Sequence, residues 1–439
     1  MSEKFQPLDV AIPDEAGWPK KTLDELCSLI SRGTAPVYVE SSSVLAIGQR
    51  SVTTSRFAPE FARPHAERAM RNVLRPESGD VLLNSTGTGT IGRSVVFDHD
   101  GAFIVDGHVT VLRPKPEGAD GRWLNAVLRT SWGQRHLERF CYAGSTNQLE
   151  LSRTPVKTSM LPVPSLAEQR AIAQALDTLD TAIRETEALI EKLKAVKQGL
   201  LHDLLTRGID ANGQLRPPLS EAPQLYKESP LGWIPREWEC TALAKRLARI
   251  TYGFTSPMPT TDEGPWMLTA TDVSESRILY EQARHTTERA FRLLSAKSRP
   301  NVGDVLVTKD GTLGRVAVLD RDDVCVNQSV AVLSPKNGAD SSYLATYLQS
   351  PVGQERMLAD SGGSTIKHLY ISKLAEMSIP WPEEHETEAI VSRISGMTAR
   401  LENEESLLSK LNRQKSGLMD DLLTGRVRVT PLLAPGGVA

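Results

Sequence analysis

An internal duplication constrains the fold of this chain more than any other feature of its sequence. The segment GDVLLNSTGTGTIGRSVVFD at residues 79–98 matches GDVLVTKDGTLGRVAVLD at residues 303–320, apart from two extra residues in the first copy. DLLTRG at 203–208 likewise matches DLLTGR at 421–426, and shorter matches such as ERAMR with ERAFR occur in the same order. Because the matched segments lie 218 to 224 positions apart, the sequence predicts two tandem copies of one folding unit.

The repeated segment contains glycines at the spacing of a phosphate-binding loop. Gly87, Gly89 and Gly92 form a G-x-G-x-x-G pattern, which holds a pyrophosphate only when a helix follows directly. Alternating β-branched residues follow in both copies, and in the second copy Lys309 replaces the first glycine. A strand, a glycine turn and a second strand predict a β-hairpin in each copy, because glycine adopts the positive φ angles of a tight turn.

Each copy ends in a long segment with the periodicity of an α-helix. The first segment opens with Ser165 as a candidate N-cap and Glu168 three residues later, the pattern of a capping box. The second segment repeats the heptad pattern of the first 218 positions later. Apolar residues at the a and d positions predict a stripe on each helix, which we name the helix seam. The helix seam comprises Leu176, Leu179, Ile183, Ile190, Leu193, Leu200, Leu204, Ile394, Met397, Leu401, Leu408, Leu411, Leu418 and Leu422.

The length of the two helices indicates what the helix seam contacts. Roughly 40 residues at about 1.5 Å each give a rod near 60 Å long, which outreaches a domain of about 150 residues. We therefore expect the two helices to pair with each other. Polar residues interrupt both stripes at equivalent places, Lys197 with Lys415 and Thr186 with Glu404, and such residues favour one register. A pseudo-two-fold axis would make the helices antiparallel and put the globular parts at opposite ends of a spacer.

These features predict an α+β fold with an internal pseudo-two-fold repeat, in which two β-rich domains are separated by two long, antiparallel coiled-coil helices. The segment between the first helix and the second domain is rich in Pro, Gly and Ser, which is typical of a linker. The expected order is a first domain at 1–164, a first helix at 165–206, a linker at 207–232, a second domain at 233–382, a second helix at 383–424 and a C-terminal tail at 425–439.

Composition and charge argue against several classes of protein. A formal net charge of -3 is not that of a chain that coats DNA over its whole surface, although one face could still bind DNA. The four cysteines lack metal-ligand spacing and are expected to be reduced. There is no run of 18 apolar residues, and the acidic N-terminus is unlike a secretory signal. We therefore expect no membrane span and a cytoplasmic location.

The sequence contains no recognisable catalytic constellation. G-x-S-x-G, H-E-x-x-H and Walker A patterns are missing, as is the N-P-P-Y type of motif found in amino-methylating DNA methyltransferases. His108 follows Asp106 and could form a base with its orienting group, but Asn327 and Ser329 occupy the equivalent places in the second copy. We interpret His108 and Asp106 as structural, and the chain as a non-catalytic module.

Polar and basic residues near the two hairpins are candidates for contacts with DNA, because arginine binds phosphates and reads guanine edges. ERAMR and ERAFR each place two arginines three apart on a predicted helical face, and one arginine closes each hairpin turn. The turns also diverge between the copies, as two readers of different base sequences would; a solvated face and neutral drift remain alternatives. The candidates are Arg68, Arg71, Asn84, Ser85, Thr86, Thr88, Arg93, Ser145, Thr146, Asn147, Arg289, Arg292, Lys309, Asp310, Thr312, Arg315, Ser364, Thr365 and Lys367.

Taken together, these segments resemble the specificity subunits of Type I restriction-modification enzymes. The resemblance covers nearly the whole chain and rests on the paired GDVL and GTIGR or GTLGR segments, on LPVPSLAEQRAI with its weaker copy IPWPEEHETEAI, on the helix ends, and on YKESPLGWIPREWE. In the second copy Glu383, His385 and Thr387 replace Ser165, Ala167 and Gln169, which affects only the start of the helix.

The resemblance implies a function in DNA recognition. Each β-rich domain would be a target recognition domain that reads one half of a bipartite, asymmetric double-stranded DNA site. The helices would set the distance between the half-sites and dock two methyltransferase subunits, with restriction or translocase subunits joining the complex. S-adenosylmethionine, ATP and Mg²⁺ would bind to those partners, and this chain itself would bind no cofactor.

Two other functions remain open from the sequence. The chain could be a coiled-coil interaction protein whose duplicated β-rich heads bind a protein or a glycan. It could also be a self-sufficient methyltransferase with an unfamiliar site. Sequence-selective binding of duplex DNA together with methyltransferase subunits would distinguish the specificity subunit from the first alternative. Transfer of a methyl group without any partner would favour the second alternative.

Overall fold

The structure, a computed structural model, describes residues 12–144, 149–338, 340–359 and 368–430. The chain divides into two compact units: unit 1 comprises Met1–Glu187 and Ser406–Ala439, and unit 2 comprises Ala188–Glu405. Each long helix therefore begins in one unit and ends in the other. The sequence predicted the helices as elements separate from the globular domains. The structure divides them differently, because half of each helix contributes side chains to the core of a unit.

Unit 1 contains eleven strands among its described residues, and they form small sheets. The strands are β1 Lys20–Thr22, β2 Cys27–Arg32, β3 Val44–Ile47, β4 Arg63–Pro64, β5 Val81–Asn84, β6 Ser94–Val96, β7 Ala102–Val105, β8 Val109–Pro114, β9 Tyr142–Ala143, β10 Glu150–Leu151 and β11 Met160–Pro162. The helices are α1 Leu23–Leu26, α2 Gly121–Arg129, α3 Ser131–His136, α4 Arg153–Thr158 and the first part of α5 Leu166–Thr206.

A four-stranded antiparallel sheet in the order β2-β8-β5-β6 lies at the centre of unit 1. A second sheet has the order β4-β3-β7, with β3 and β7 parallel. Alternate residues of β5 face opposite sides, as the two-residue period of a strand requires. Val81 and Leu83 join the core shared with α2, α3 and α5, whereas Leu82 joins the apolar layer that contains Ile47 and Val105 of the second sheet.

Unit 2 repeats this architecture. Its strands are β12 Tyr226–Ser229, β13 Gly232–Pro235, β14 Glu239–Ala242, β15 Leu247–Tyr252, β16 Thr261–Leu268, β17 Arg284–His285, β18 Val305–Thr308, β19 Val316–Val318, β20 Val324–Val326, β21 Val330–Pro335 and β22 Ser378–Trp381. Its helices are α6 Leu243–Arg246, α7 Glu288–Leu293, α8 Asp340–Gln349, α9 Pro351–Ala359, α10 Ile371–Glu376, the last part of α5 and the first part of α11 Glu384–Leu423.

The sheets of unit 2 have the orders β15-β21-β18-β19 and β17-β16-β20, and the second again contains one parallel pair. These orders reproduce those of unit 1 strand by strand. On β18, Val305 and Val307 face the core with α8, while Leu306 faces the second sheet. The predicted duplication of one folding unit is confirmed, as is the α+β class.

The long helices have nearly the bounds that the sequence predicts. Helix α5 begins after Ser165, whose hydroxyl accepts a hydrogen bond from the Glu168 amide at 3.3 Å, while the Glu168 carboxylate accepts one from the Ser165 amide at 3.2 Å. This reciprocal pair is the predicted capping box. Helix α11 runs over Glu384–Leu423, one residue inside the predicted segment at each end.

Every residue of the helix seam is buried or half-buried. Leu176, Ile190 and Leu193 are at most 5% exposed, although most neighbouring positions on the same helix are exposed. Thr186, the predicted polar interruption of the stripe, is also buried. The heptad register read from the sequence therefore matches the side of each helix that is withdrawn from water.

Within each unit, the two long helices run antiparallel. In unit 1, Asp180 of α5 forms an ion pair with Lys415 of α11, and Leu176 shares a core with Leu422 near the end of α11. In unit 2, the last turn of α5, including Leu204, shares a core with Ile394 from the first part of α11. The predicted pairing of the helices is confirmed in both units.

The segment 207–232, predicted as a linker, is folded into unit 2. Ile209, Ala222 and Tyr226 are buried, and β12 with β13 forms a hairpin that closes the segment. Its Pro and Gly residues therefore mark turns of a compact structure. The composition that predicted a linker does not reveal the buried Arg216, which fixes the segment to α11.

The described part of the predicted C-terminal tail packs on unit 1. Val429 lies in the core of unit 1, and Arg428 and Thr430 donate hydrogen bonds to Glu168 at the start of α5. Residues 431–439 lie outside the described residues. In the described ranges, no helix combines the length and the apolar character needed to cross a membrane.

Candidate functional site

The repeated hairpin predicted from the glycine pattern is present in both units. In unit 1 the Asn84 amide donates to the Arg93 carbonyl at 2.8 Å, and the Gly92 amide donates to the Asn84 carbonyl at 2.9 Å. In unit 2 the Thr308 amide donates to the Arg315 carbonyl at 2.9 Å. The glycines therefore form a turn between two strands, and no helix follows that could hold a pyrophosphate.

One glycine at the base of each hairpin is fixed by a glutamine. Gly92 has φ +84° and Gly314 has φ +79°. Gln134 Nε2 donates to the Gly92 carbonyl at 2.9 Å, and Gln354 Nε2 donates to the Gly314 carbonyl at 2.7 Å. A Cβ at Gly92 would collide with the Tyr142 hydroxyl, so this approach requires glycine. The hairpins are thus attached to their units in the same way.

A second shared contact establishes which residues are equivalent. The Leu151 amide donates to the Ser85 carbonyl at 2.8 Å in unit 1, and the Leu369 amide donates to the Lys309 carbonyl at 2.9 Å in unit 2. Lys309 therefore corresponds to Ser85. The sequence comparison had aligned Lys309 with Gly87, and the structure corrects that alignment. The two extra residues of the first copy are Gly87 and Thr88, at the tip of the turn.

On this common backbone, unit 1 carries neutral polar groups and one ion pair. Gln49 Nε2 donates to Thr86 Oγ1, and Thr86 Oγ1 lies 2.8 Å from Nδ1 of His108. Beside them Arg32 Nη1 lies 3.1 Å from Glu150 Oε2. We name Arg32, Gln49, Thr86, His108 and Glu150 the unit 1 set.

Unit 2 carries different side chains at the same five places. By the shared strand pairings they are Tyr252, Ala270, Asp310, Ser329 and His368, which we name the unit 2 set. The Asp310 carboxylate pairs with Lys309 Nζ at 2.6 Å and with His368 Nδ1 at 2.5 Å. Burial alone would raise the pKa of Asp310, but the hydrogen bonds from Lys309 and His368 outweigh it and lower the pKa.

An open cavity of about 890 Å³ adjoins the unit 1 set. Its lining includes Thr88 and Arg153 together with the five members of the set. Hydroxyl, amide, imidazole and guanidinium groups that face one opening offer both hydrogen-bond donors and acceptors. Such a surface can read the polar edges of a ligand as extended as a base pair.

The structure places most of the predicted contact residues at or near the surface. Arg68, Arg71, Thr88, Arg289, Arg292 and Thr312 are exposed, and Thr86, Arg93, Lys309, Asp310 and Arg315 are half-buried. Ser145, Thr146, Asn147, Ser364, Thr365 and Lys367 lie outside the described residues. Arg93 Nη2 donates to the Gly89 carbonyl at 2.7 Å, so this side chain closes its own turn as predicted.

Two of the predicted contact residues are buried. Asn84 and Ser85 are each 0% exposed. Asn84 Nδ2 donates to the Gln49 carbonyl at 3.1 Å, and Ser85 Oγ bonds to Thr110 Oγ1. Their assignment as DNA contacts was wrong. Strand β5 ends at Asn84, but burial continues through Ser85, so the side chains become accessible only from Thr86 onwards.

The predicted arginine-bearing helix is present in one unit only. Arg289 and Arg292 lie on helix α7, with Arg292 paired to Glu288 at 3.5 Å. In unit 1 the equivalent residues form a single 3-10 turn over Glu67–Ala69, and Arg71 lies beyond it. Asn72 has φ +58°, a left-handed conformation that ends the turn before a helical face can form.

Asp106 and His108 have the structural role that the sequence indicated, and His108 has a second contact as well. Asp106 Oδ1 accepts the His108 amide at 2.7 Å, just as Asn327 Oδ1 accepts the Ser329 amide at 3.0 Å. The imidazole of His108, however, belongs to the unit 1 set. Sequence reasoning also missed Gln49. A comparison of the two copies could have found it, because Ala270 stands at the equivalent position 221 residues later.

Comparison with known proteins agrees with this architecture. The sequence profile of the Type I restriction modification DNA specificity domain matches residues 16–195 and 273–413. The chain therefore belongs to the Type I restriction-modification DNA specificity family. Two matched regions correspond to the two repeated units, and the resemblance identified from the sequence motifs is confirmed.

Individual relatives are distant in sequence. A protein of Methanocaldococcus jannaschii, provisionally named the type I restriction enzyme MjaX specificity subunit, is 24% identical over 356 residues, which cover 80% of this chain and 79% of the relative. The type I restriction enzyme EcoBI specificity subunit of Escherichia coli is 26% identical over 288 residues, 63% of this chain and 60% of the relative.

Two solved structures share the fold. The S subunit of a Type-I restriction-modification system from M. genitalium has a TM-score of 0.54 and 15% sequence identity, with 96% of this chain and 99% of that chain covered. A chain from a study of complex assembly and conformational transition of the type I R-M system has a TM-score of 0.54 and 18% identity, with 95% and 100% covered.

Proposed function

We propose that this chain is the non-catalytic subunit that selects the DNA sequence for a Type I restriction-modification enzyme. Each unit reads one half of a bipartite, asymmetric site in double-stranded DNA. The observation that carries the proposal is the contrast between the unit 1 set and the unit 2 set. One backbone framework presents two chemically different groups of side chains, as two readers of different half-sites require.

Side-chain chemistry supports a difference between the half-sites. Gln49 offers an amide, which pairs bidentately with adenine. Asp310, kept ionised by Lys309 and His368, only accepts hydrogen bonds and suits the amino group of cytosine. Ala270 in place of Gln49 removes the amide from unit 2. The two units therefore favour different bases at equivalent positions.

The remaining parts of the complex come from partner subunits. The long helices set the distance between the half-sites and dock two methyltransferase subunits, to which restriction or translocase subunits attach. S-adenosylmethionine, ATP and Mg²⁺ bind to those partners in this proposal, and the complex acts on DNA in the cytoplasm. The modest net charge of this chain fits a phosphate clamp that is shared with other subunits.

A domain exchange tests the proposal. Adenine methylation is mapped in a host that carries the chain with its methyltransferase subunits, which gives both half-sites and their spacing. Replacing residues 1–164 with those of a relative of different specificity is expected to change one half-site and leave the other half-site unchanged. A change in both halves would contradict the assignment of one half-site to each unit.

One binding assay and one methyl-transfer assay test the other functions. A gel shift with methyltransferase subunits present is expected to show sequence-selective duplex binding; no shift with any duplex would favour a protein-binding or glycan-binding role. Purified chain is then incubated with DNA and labelled S-adenosylmethionine. Label transfer without a partner subunit would show that the chain is itself an enzyme.

A further inference from the structure

Two arginines of unit 1 lie against exposed aromatic rings. The guanidinium carbon of Arg63 is 3.7 Å from the ring centre of Tyr38, and that of Arg50 is 4.9 Å from the ring centre of Phe61. Tyr38 is 39% exposed and Phe61 is 42% exposed. We name these four residues the arginine–aromatic ledge.

Buried groups hold the ledge in place. The Tyr38 hydroxyl donates to Asp106 Oδ2 at 3.0 Å, and Asp106 is itself 6% exposed. Burial, together with the charge of Asp106, raises the pKa of Tyr38, so the hydroxyl remains protonated and keeps donating. The neighbouring Val37 amide donates to Nδ1 of the buried His65 at 3.0 Å. The ring of Tyr38 is thus a fixed support for the Arg63 guanidinium.

Two arginines and one carboxylate line the cavity at the ledge, since Asp106 lines it as well as Arg50 and Arg63. Among the described residues, neither Arg50 nor Arg63 forms an ion pair with a carboxylate, and both side chains are exposed. Several other arginines of unit 1 are paired with acids: Arg32, Arg56, Arg113, Arg122 and Arg129. A guanidinium on an aromatic face keeps its N–H groups directed outwards for a second partner.

The ledge lies beside the residues that we propose to read bases. It lines a cavity of about 610 Å³, and Gln49 and His108 line both this cavity and the larger one. A duplex whose base edges meet Gln49 therefore brings its sugar-phosphate backbone next to Arg50, the following residue.

Unit 2 lacks this arrangement at the equivalent positions, 221 residues later. Thr271 replaces Arg50 and Gln282 replaces Phe61, and only Arg284 is retained in place of Arg63. Unit 2 does have cations near the exposed ring of Tyr252, but Lys297 and Lys309 are 5.9 and 5.5 Å from it, and Asp310 neutralises Lys309. Elsewhere in unit 2, Arg321 lies over the rings of Trp266 and Tyr280 but pairs with Asp323, and Arg299 lies 5.7 Å from the ring of Phe291, with both residues half-buried. Among the described residues, exposed arginines without an ion pair that stack on exposed rings occur in unit 1.

We propose that the arginine–aromatic ledge binds the phosphodiester backbone of duplex DNA beside the first half-site. This inference rests on the proposed function and assigns the sequence-independent part of the affinity mainly to unit 1. Arg50 and Arg63 contact phosphate oxygens, and Tyr38 and Phe61 hold the guanidinium groups in place. Phosphate contacts fix position and affinity without distinguishing bases.

The salt dependence of binding tests this proposal. The full chain in complex with its methyltransferase subunits is titrated with a fluorescent duplex that carries the mapped site, and with one in which both half-sites are scrambled, across a series of KCl concentrations. The double variant Arg50→Gln with Arg63→Gln is expected to lower the slope of log K against log[salt] by about 1 to 2, because each phosphate contact contributes about 0.9. Both duplexes should weaken by the same factor.

Two control variants separate the ledge from general charge and from folding. Arg184→Gln removes one exposed positive charge from α5 in the same unit and is expected to leave the slope unchanged. Arg63→Lys keeps the charge but loses the planar stack, and it should fall between wild type and Arg63→Gln. Unchanged thermal unfolding of each variant confirms that unit 1 is intact.

The outcomes distinguish the two levels of the proposal. If wild type prefers the mapped site and the double variant keeps the wild-type slope, the ledge does not bind phosphate. Equal slope losses in Arg184→Gln and the double variant would also overturn the inference, since net charge would then explain both. If the wild-type complex binds the two duplexes equally well, the proposed function in sequence recognition is contradicted, whatever the ledge variants show.

Discussion

The carboxylate of Glu386 accepts hydrogen bonds from both terminal nitrogens of Arg216, which lies 170 positions earlier in the chain. Glu168 occupies the equivalent place at the start of α5 and accepts Arg428. In each unit, the arginine follows the end of one long helix and the glutamate starts the other. The two copies therefore use the same ion pair to join a helix end to a helix start.

Removal of Arg216 is expected to destabilise unit 2. Glu386 has a side chain only 2% exposed, and Arg216→Ala would leave its carboxylate without its cation. Breaking a buried pair in this way costs about 3 to 5 kcal/mol. Urea titration and hydrogen exchange of the Ile209 amide, which donates to Glu386, measure the loss. Arg400→Ala, at an exposed site on α11, is the control and should change the free energy of unfolding by no more than about 0.5 kcal/mol.

Acid is expected to weaken unit 1 through Glu168. Burial tends to raise its pKa, but hydrogen bonds from Arg428, Ser165 and Thr430 outweigh that tendency and lower the pKa below the ordinary 4.5. The stabilisation is therefore complete above the unfolded value and is lost as the pH falls through the lower folded value. Unfolding measured from neutral to acid pH should show a steeper loss of stability for wild type than for Glu168→Gln. Parallel curves would contradict the assignment.

A charge on the helix seam is expected to disrupt the antiparallel helices. Ile190 is 4% exposed, so Ile190→Asp would bury a carboxylate without a partner, at a cost of several kcal/mol. Circular dichroism should show a lower melting temperature, and size exclusion should show weaker assembly with methyltransferase subunits. The same change at the exposed Ala188, two residues away, is the control and should have little effect. Equal behaviour of the two variants would contradict the assigned seam.

Substitutions in the two sets are expected to act on different half-sites. Gln49→Ala removes an amide from unit 1, and Asp310→Asn gives unit 2 a donor where it had only acceptors. Each change should alter base preference at one position by about 1 to 3 kcal/mol. Methylation mapping of each variant identifies the half-site affected. An Asp310→Asn variant that relaxed the same half-site as Gln49→Ala would contradict the separate roles of the units.

Substitution of two hairpin glycines compares the free-energy cost of backbone strain with the cost of a steric collision. Gly92 and Gly89 both have positive φ, but a Cβ at Gly92 meets Tyr142 and Gln134, whereas nothing lies within 4 Å of one at Gly89. Gly89→Ala is expected to cost about 1 kcal/mol from the left-handed conformation alone. Gly92→Ala should cost about 1 to 3 kcal/mol more because the site is overpacked. Thermal unfolding of the two variants measures the difference, and equal costs would show that Tyr142 moves aside.

Much of the fold could be predicted because local sequence determines it. The capping box at Ser165 and the matching heptads of the two helices predicted the helix bounds and the seam, and the alternating residues beside Gly92 predicted the hairpin. The folded segment around Arg216 could not be predicted. It is held by contacts with residues far along the chain, among them the buried pair of Arg216 with Glu386, and its Pro and Gly content is also typical of linkers.

The candidate site was only partly predictable for a related reason. The sequence places Thr86, Lys309 and Asp310 near a turn, and they lie there. Gln49 and His108 contact Thr86 through side-chain hydrogen bonds that span 37 and 22 residues, and no local pattern marks such contacts. The wrong assignment of Asn84 as a DNA contact has the same origin. Whether a residue at the end of a strand is buried depends on the neighbouring strand, which local sequence does not show.

The glutamine-fixed glycine at the base of each hairpin has a consequence for how this protein can change over generations. The glutamine holds the glycine from outside the turn, so the tip side chains that do not bond to the turn backbone, such as Thr88, can be exchanged at little cost to folding. Substitutions at the tip could therefore change the bases that a unit recognises while the backbone of the hairpin is retained. A host lineage could acquire a new target sequence through a handful of codon changes.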